Sequence, residues 1–281
     1  VEGQGGPMSD KPIAVFDSGL GGLSVVRHLR HRLPDEQLVY FGDTARVPYG
    51  SKSRQTVINF ALEAARFLLQ FEPKLIIAAC NTASSLAMNE LRRALPVPVI
   101  GVVEPGAATA VRLAAGEPIA VIGTEATVGS GSYLAAVRAL APEQEVIQRA
   151  CPLLVALVEE GREPSDNIVR LVVQEYLTPL REQAIRVLIL GCTHYPLLRQ
   201  PIADCLGPEI EIVDSGRETS LAVEQYLRAT HSLCPPGSAG TMRCYVSDNP
   251  ERFKRVGSRF LEEDIEQVEF VEPERYISAG V

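Results

Sequence analysis

Short apolar runs alternate along the chain with longer stretches whose apolar positions recur at helical spacing. The runs fall at 12–16 (PIAVF), 37–41 (QLVYF), 74–79 (KLIIAA), 97–103 (VPVIGVV), 118–122 (PIAVI), 144–148 (QEVIQ), 186–190 (RVLIL) and 209–213 (EIEIV). Each has the length of a strand, and most are continuously apolar, as in strands buried on both faces. Between them lie segments such as RQTVINFALEAARFLLQF (54–71), which reads as an amphipathic helix. Strands alternating with helices predict an α/β protein built on parallel sheets.

The pattern also repeats. PIAV occurs at 12–15 and again at 118–121, each time followed by a polar, glycine-containing turn. The runs that end in ACNTAS (79–84) and GCTHYP (191–196) correspond, as do the later endings VVEPG and IVDSG. All offsets lie between 106 and 113 residues. The expectation is two pseudo-symmetric, doubly wound parallel-sheet domains of about four strands each, with the active site in the cleft between them. Crossovers at 104–106 (EPG) and 214–216 (DSG) would make the first domain discontinuous, 1–101 plus 214–281, with 102–213 as the second. A long helical tail is expected from Glu218 onward, with one last short strand near 242–246.

Composition narrows the function. The chain has 281 residues, 46% hydrophobic and 22% charged, enough to build a core without disulfides or metal. A formal net charge of −8 argues against general nucleic-acid binding or attachment to an anionic membrane. No apolar stretch is long enough to span a bilayer. The segment VEGQGGPMSD has neither a basic n-region nor an apolar h-region, so no secretory signal is read there. Residues 1–7 are set aside as a cloning remnant or a frayed tail. Six cysteines without any C-x-x-C in a chain of this length point to a reducing cytoplasm.

In open parallel sheets, ligands bind beyond the carboxyl ends of the strands. Four segments point there: Asp17-Ser18, Cys80-Asn81-Thr82, Thr124 to Thr127, and Cys192-Thr193-His194. A buried cysteine usually only fills space. Two at equivalent strand ends, each ahead of a helix start that favours the thiolate, point to reactivity. Cys151, Cys205, Cys234 and Cys244 lack that setting and read as structural. Asp17 is either a helix cap or a functional carboxylate. His194, two residues after Cys192, can tune a thiol or donate a proton. The two would share one face of a strand, but no second ligand pair completes a metal site.

GLGG (19–22) matches a dinucleotide fingerprint only in part, and a smaller anion such as a carboxylate at a helix N-terminus fits better. Ser18, Asn81, Thr82 and Thr193 offer groups for the same task. VPYG (47–50) supplies a loop and Tyr49 that could cover a ligand. None of the four lysines sits at a strand tip in the cleft, which argues against a Schiff-base cofactor.

Six stretches together resemble the glutamate racemases of the aspartate/glutamate racemase superfamily: FDSGLGGLSV (16–25), YFGDTARVPYGSKS (40–53), IIAACNTASS (76–85), VIGTEATVGSGSY (121–133), CPLLVALVEEG (151–161) and LILGCTHYPLL (188–198). The resemblance implies interconversion of L- and D-glutamate without a cofactor. One cysteine removes the α-proton and the other returns a proton to the opposite face. Cys80 would serve the D-isomer with help from Asp17, and Cys192 the L-isomer with help from His194. Asp17, Ser18, Tyr49, Gly50, Asn81, Thr82, Thr193 and His194 would form the substrate site, with Thr124, Thr127 and Glu159 as less certain members. It further implies a homodimer that supplies D-glutamate for peptidoglycan synthesis in a bacterial cytoplasm. The alternatives are an aspartate racemase or related isomerase, a cysteine hydrolase using Cys192 and His194, and a module that only senses an amino acid.

Overall fold

A computed structural model describes residues 8–277, and the reading of residues 1–7 lies outside them. The elements run β1 (Ile13–Asp17), α1 (Leu23–Arg32), β2 (Leu38–Gly42), α2 (Arg54–Leu69), β3 (Leu75–Ala78), α3 (Asn81–Leu86), α4 (Met88–Ala94), β4 (Val99–Gly101) and α5 (Val103–Ala114). They continue with β5 (Ile119–Gly123), α6 (Glu125–Ser130), α7 (Ser132–Leu140), β6 (Val146–Ala150), α8 (Pro152–Glu159), α9 (Asn167–Arg181), β7 (Val187–Gly191), α10 (Arg199–Leu206) and β8 (Glu211–Asp214). The chain then forms α11 (Ser215–Ala229), β9 (Met242–Val246), α12 (Pro250–Leu261), β10 (Val268–Phe270) and α13 (Pro273–Tyr276).

Two sheets result, one ordered β10-β9-β2-β1-β3-β4 and the other β6-β5-β7-β8. Every paired strand in both is parallel. The inner order 2-1-3-4 of the first sheet recurs as 6-5-7-8 in the second, so the repeat seen in sequence is a repeat of architecture. The fully buried strands β1, β2, β3, β5 and β7 are those with continuous apolar runs. β6 lies at an edge and is half-buried throughout, which accommodates Gln148 and Arg149. The largest apolar cluster joins Val15 of β1 and Leu23 of α1 to Ile122 of β5 and Leu190 of β7. This shared core seats the two sheets against each other.

The C-terminal region departs from expectation. Instead of a long helical tail, α11 ends at Ala229; the short strand expected near 242–246 forms as β9, and an unexpected strand, β10, follows α12. β9 pairs with β2 and β10 with β9, so the first sheet has six strands rather than about four. β10 escaped notice because it is three residues long and its Glu269 and Phe270 are exposed, so no apolar run marks it. α12 is strongly amphipathic. Phe253, Val256, Gly257, Phe260 and Leu261 are buried, while Arg252, Arg255 and Arg259 lie off that face. Its start is fixed by Asn249, whose Oδ1 accepts from the Arg252 N–H at 3.0 Å, and by Pro250 in the first turn.

Among the described residues, no helix is long and apolar enough to cross a membrane.

Candidate active site

Cys80 follows β3 and Cys192 follows β7, which are equivalent strands of the two sheets. Both are 5% exposed, and both line one cavity of about 310 Å³. Ser18, Tyr49, Gly50, Asn81, Thr82, Thr124, Thr193, His194 and Glu159 line it as well. None of the lining residues is Lys or Arg, so His194 is the one side chain on the wall able to carry positive charge near neutral pH.

The two cysteines have different neighbours. The Cys80 Sγ–H donates to Ser18 Oγ at 3.6 Å. Burial pushes its thiol up to about 12, and the nearby Asp17 carboxylate adds to the push. The expected lowering by a following helix is therefore overruled at Cys80, since desolvation of a buried thiolate costs more than one short helix end returns. Cys192 Sγ lies 3.8 Å from His194 Nδ1. His194 Nε2 lies 3.1 Å from Glu159 Oε1. Burial opposes charge on the ring, but contact with Cys192 and Glu159 outweighs it and lifts His194 to about 10. Burial also works against charge on Glu159, yet His194 and Arg252 hold its carboxyl below the ordinary range. Cys192 and His194 do not share a strand face as expected: β7 ends at Gly191, and a turn leads directly into a 3-10 segment, Tyr195–Leu198. That turn is tied down by Tyr195, whose hydroxyl donates to the Cys151 carbonyl at 2.9 Å.

Asp17 does not line the cavity but sits buried behind it. Its Oδ2 accepts from the Gly19 N–H at 2.9 Å, and its Oδ1 has no partner among the described residues. Burial raises its carboxyl above the usual range, against the opposing pull of His194 and of the Gly19 and Gly22 N–H groups.

The glycines of GLGG have another purpose than cradling an anion, for none of them lines the cavity. A Cβ on Gly21 would collide with Thr193 Oγ1 and come within 2.7 Å of His194 Nδ1. A Cβ on Gly22 would lie 2.6 Å from that of Asp17. Their bareness lets the turn after β1 press against Thr193 and His194 on one side and Asp17 on the other.

The remaining wall is held from behind. Tyr133 donates across the two halves to Asn81 Oδ1 at 2.6 Å, and Asn81 Nδ2 donates to Ser215 Oγ at 3.4 Å. Thr82, Thr124 and Thr127 form a triangle of hydroxyls with sides of 2.9, 3.0 and 3.3 Å. Thr127 belongs to that triangle but not to the cavity wall. The Tyr49 hydroxyl donates to Asp43 Oδ2 at 2.5 Å, and Ser247 donates to Asp43 Oδ1 at 2.9 Å. Gly50 meets the other half so closely that a Cβ there would approach Thr124 Cβ to 2.6 Å.

The VPYG loop and the Thr124–Thr127 segment bring Val47, Pro48 and Glu125 to the wall as those segments suggested, whereas sequence reasoning missed Ser51, Pro152, Val155, Ala156 and Glu160. Its reading of Cys151 also needs correction. Cys151 sits between β6 and α8 and is thus a third strand-end cysteine ahead of a helix, though it does not reach the cavity. The signal was present in Cys-Pro as a helix start, just after the strand candidate at 144–148.

Comparison with known proteins agrees with this geometry. The family model for Asp/Glu/Hydantoin racemases matches residues 23–222, which defines the class as racemases of that family. A glutamate racemase from Geobacter metallireducens is 47% identical over 252 residues, covering 89% of this chain and 93% of the relative. The crystal structure of the Francisella tularensis glutamate racemase in complex with D-glutamate superposes with a TM-score of 0.87 at 39% identity, covering 94% of this chain and 98% of that one. The Escherichia coli glutamate racemase in complex with L-glutamate and the activator UDP-MurNAc-ala gives 0.75 at 27% identity, covering 93% and 98%. This chain belongs to the glutamate racemase family, isomerases that act on glutamate.

Proposed function

We propose that the chain interconverts L- and D-glutamate by a two-base mechanism without a cofactor, with Cys80 and Cys192 on opposite faces of the substrate α-carbon. The observation that carries this reading is the pairing of one strand-end cysteine from each sheet on one small cavity, each with its own proton partner.

The α-hydrogen of an amino acid is a very weak acid, and a single base returns the proton to the face it left. Two thiols allow removal on one face and delivery on the other. With L-glutamate bound, Cys192 takes the α-proton into its S–H bond while Cys80 gives its thiol proton to the opposite face. The products are D-glutamate, a Cys192 thiol and a Cys80 thiolate. The reverse reaction exchanges the roles. The imidazolium of His194 beside Cys192 is the pairing that activates cysteine bases. The raised Cys80 thiol suits a group that must hold its proton until the carbanion forms. Asp17, buried behind the turn, assists on the Cys80 side.

With no Lys or Arg on the wall, the substrate carboxylates are held by hydroxyls and N–H groups of Ser18, Asn81, Thr82, Thr124 and Thr193, in a partly dry site where such donors count for more. The product D-glutamate would serve peptidoglycan synthesis in a bacterial cytoplasm.

The test is incubation with L-glutamate in D₂O, without added cofactor. Loss of the α-proton signal and growth of D-glutamate should proceed together, and both should stop when either Cys80 or Cys192 is replaced. Exchange with aspartate but not glutamate would retain the mechanism and change the substrate. No exchange with any amino acid would refute the two-base reading.

A further inference from the structure

The C-terminal segment β9–α12 has no counterpart in the second sheet, yet it reaches the Cys192 side of the cavity. Arg252, in the first turn of α12, lies against the last turn of α8. Its Nη2 donates to the Glu159 carbonyl at 3.3 Å and lies 3.8 Å from Glu159 Oε2. The other carboxylate oxygen of Glu159 meets His194 Nε2 at 3.1 Å. In the last turn of the same helix, Phe260 packs edge-on against the His194 ring, with centroids 5.3 Å apart. Arg259, seven residues beyond Arg252, donates to the Arg162 carbonyl at 3.1 Å and to Glu163 Oε1 at 3.2 Å. The two arginines thus clamp the α8–α9 turn from the opposite half of the molecule, and only one of them touches the carboxylate that faces His194.

We infer that Arg252 is a positioning residue for the Cys192 side: it caps the C-terminal end of α8 and fixes the Glu159 carboxylate so that Glu159 holds the His194 ring against Cys192. The physical case has two parts. A cation at the C-terminal carbonyls of a helix satisfies orphan acceptors and the helix dipole together. A carboxylate held at both oxygens has one orientation, whereas Glu159 held only by His194 could turn toward solvent, being 17% exposed. The ionisable groups facing His194 are Cys192 beside it, Asp17 at the end of β1, Glu159 from α8 and, behind Glu159, Arg252 from α12. Removing Arg252 frees Glu159, and His194 then loses its anionic neighbour.

This inference rests on the two-base reading for its kinetic consequences but not for its geometry, and the experiment separates the two. Arg252→Ala, Arg252→Lys, Arg259→Ala and Glu159→Gln are compared by racemisation kinetics across pH and by NMR titration of the histidine rings. The chain has four histidines, so the His194 signal is assigned by its loss in His194→Asn. Arg252→Ala should lower kcat roughly tenfold with little change in KM, the effect of a loosened proton-transfer partner. The ring titration of His194 should move down by about one pH unit, the size of one charge partner at hydrogen-bond distance. Arg252→Lys should restore much of both, and Arg252→Ala should add little in a Glu159→Gln background. Arg259→Ala should leave the His194 titration in place. An unmoved His194 titration in Arg252→Ala would overturn the inference, as would an equal shift in Arg259→Ala. If the titration shifts as stated but the protein exchanges no α-proton, the positioning role stands and the two-base reading falls.

Discussion

Cys80 and Cys192 stand at equivalent strand ends of two related sheets, but their partners are of opposite kinds. Behind Cys80 are a hydroxyl and a buried carboxyl, neither of which brings positive charge, and the thiol keeps its proton. Beside Cys192 is an imidazole that keeps a proton of its own up to about 10, with a carboxylate on its far nitrogen. Duplication of a fold makes two similar positions. The differing neighbours leave one thiol holding its proton and set a protonated imidazole beside the other, the two settings that the proposed two-base reaction would use. The comparison also teaches where asymmetry enters. The C-terminal strands and α12, absent from the second half, reinforce both walls, through Ser247 and Asp43 on the Tyr49 side and through Arg252 and Glu159 on the His194 side.

The largest test of this contrast removes one sulfur at a time. Cys80→Ser and Cys192→Ser should each lower racemisation by more than about a thousandfold, because a serine hydroxyl cannot act as the base and a missing proton donor stalls the carbanion. The two variants should differ in a revealing way. On glutamate analogues with a good leaving group at the β-carbon, only proton removal is needed for elimination. Cys80→Ser should still act on the L-analogue, and Cys192→Ser on the D-analogue. Product analysis with each enantiomer decides it, and a crossed preference would reverse the assignment of faces.

A smaller effect comes from the partners. His194→Asn and Asp17→Asn should each lower kcat by about a hundredfold, within the range of a lost acid or base. They should differ in pH dependence of stability. The His194 pKa is raised from 6.5 to about 10 on folding, so between these values the folded state binds more protons than the unfolded chain. The stabilisation is complete below 6.5 and lost as pH climbs toward 10. Melting temperature measured from pH 6 to 10 should therefore fall more steeply in the native chain than in His194→Asn. Parallel curves would mean that the imidazolium is not held by the fold.

Much of this was legible in sequence. Continuous apolar runs such as LIIA and VLIL announce buried parallel strands, and the repeat offsets place Cys80 and Cys192 at matching ends. Local chemistry was legible where it depends on neighbours in the chain, as with Cys192 and His194. It was not legible where the partner comes from elsewhere. Glu159 lies 35 residues from His194, and Arg252 a further 93 beyond Glu159. The GLGG turn misled because glycine serves close packing against Thr193 and Asp17 as readily as anion binding, and spacing alone does not separate the two uses. The edge strand β10 was silent because exposed edges carry no apolar run.

The smallest expected effect concerns the cysteine that shares the strand-end setting but not the chemistry. Cys151 precedes α8, is fully buried, and is pushed up to about 12 by burial, as Cys80 is. If a strand end, a following helix and a raised thiol were sufficient for function, Cys151 would count as a third catalytic group. It differs in one respect: its sulfur does not line the cavity, and its hydrogen bond goes to the Arg149 carbonyl at 3.8 Å. Cys151→Ala should therefore leave kcat within about twofold while costing about 1 kcal/mol of stability for the small void left behind. Denaturant unfolding and racemisation kinetics on the same sample read both quantities. A large loss of kcat with stability retained would show that the end of β6 contributes to the reaction, and that access to the cavity is not what divides the reactive cysteines from the structural ones.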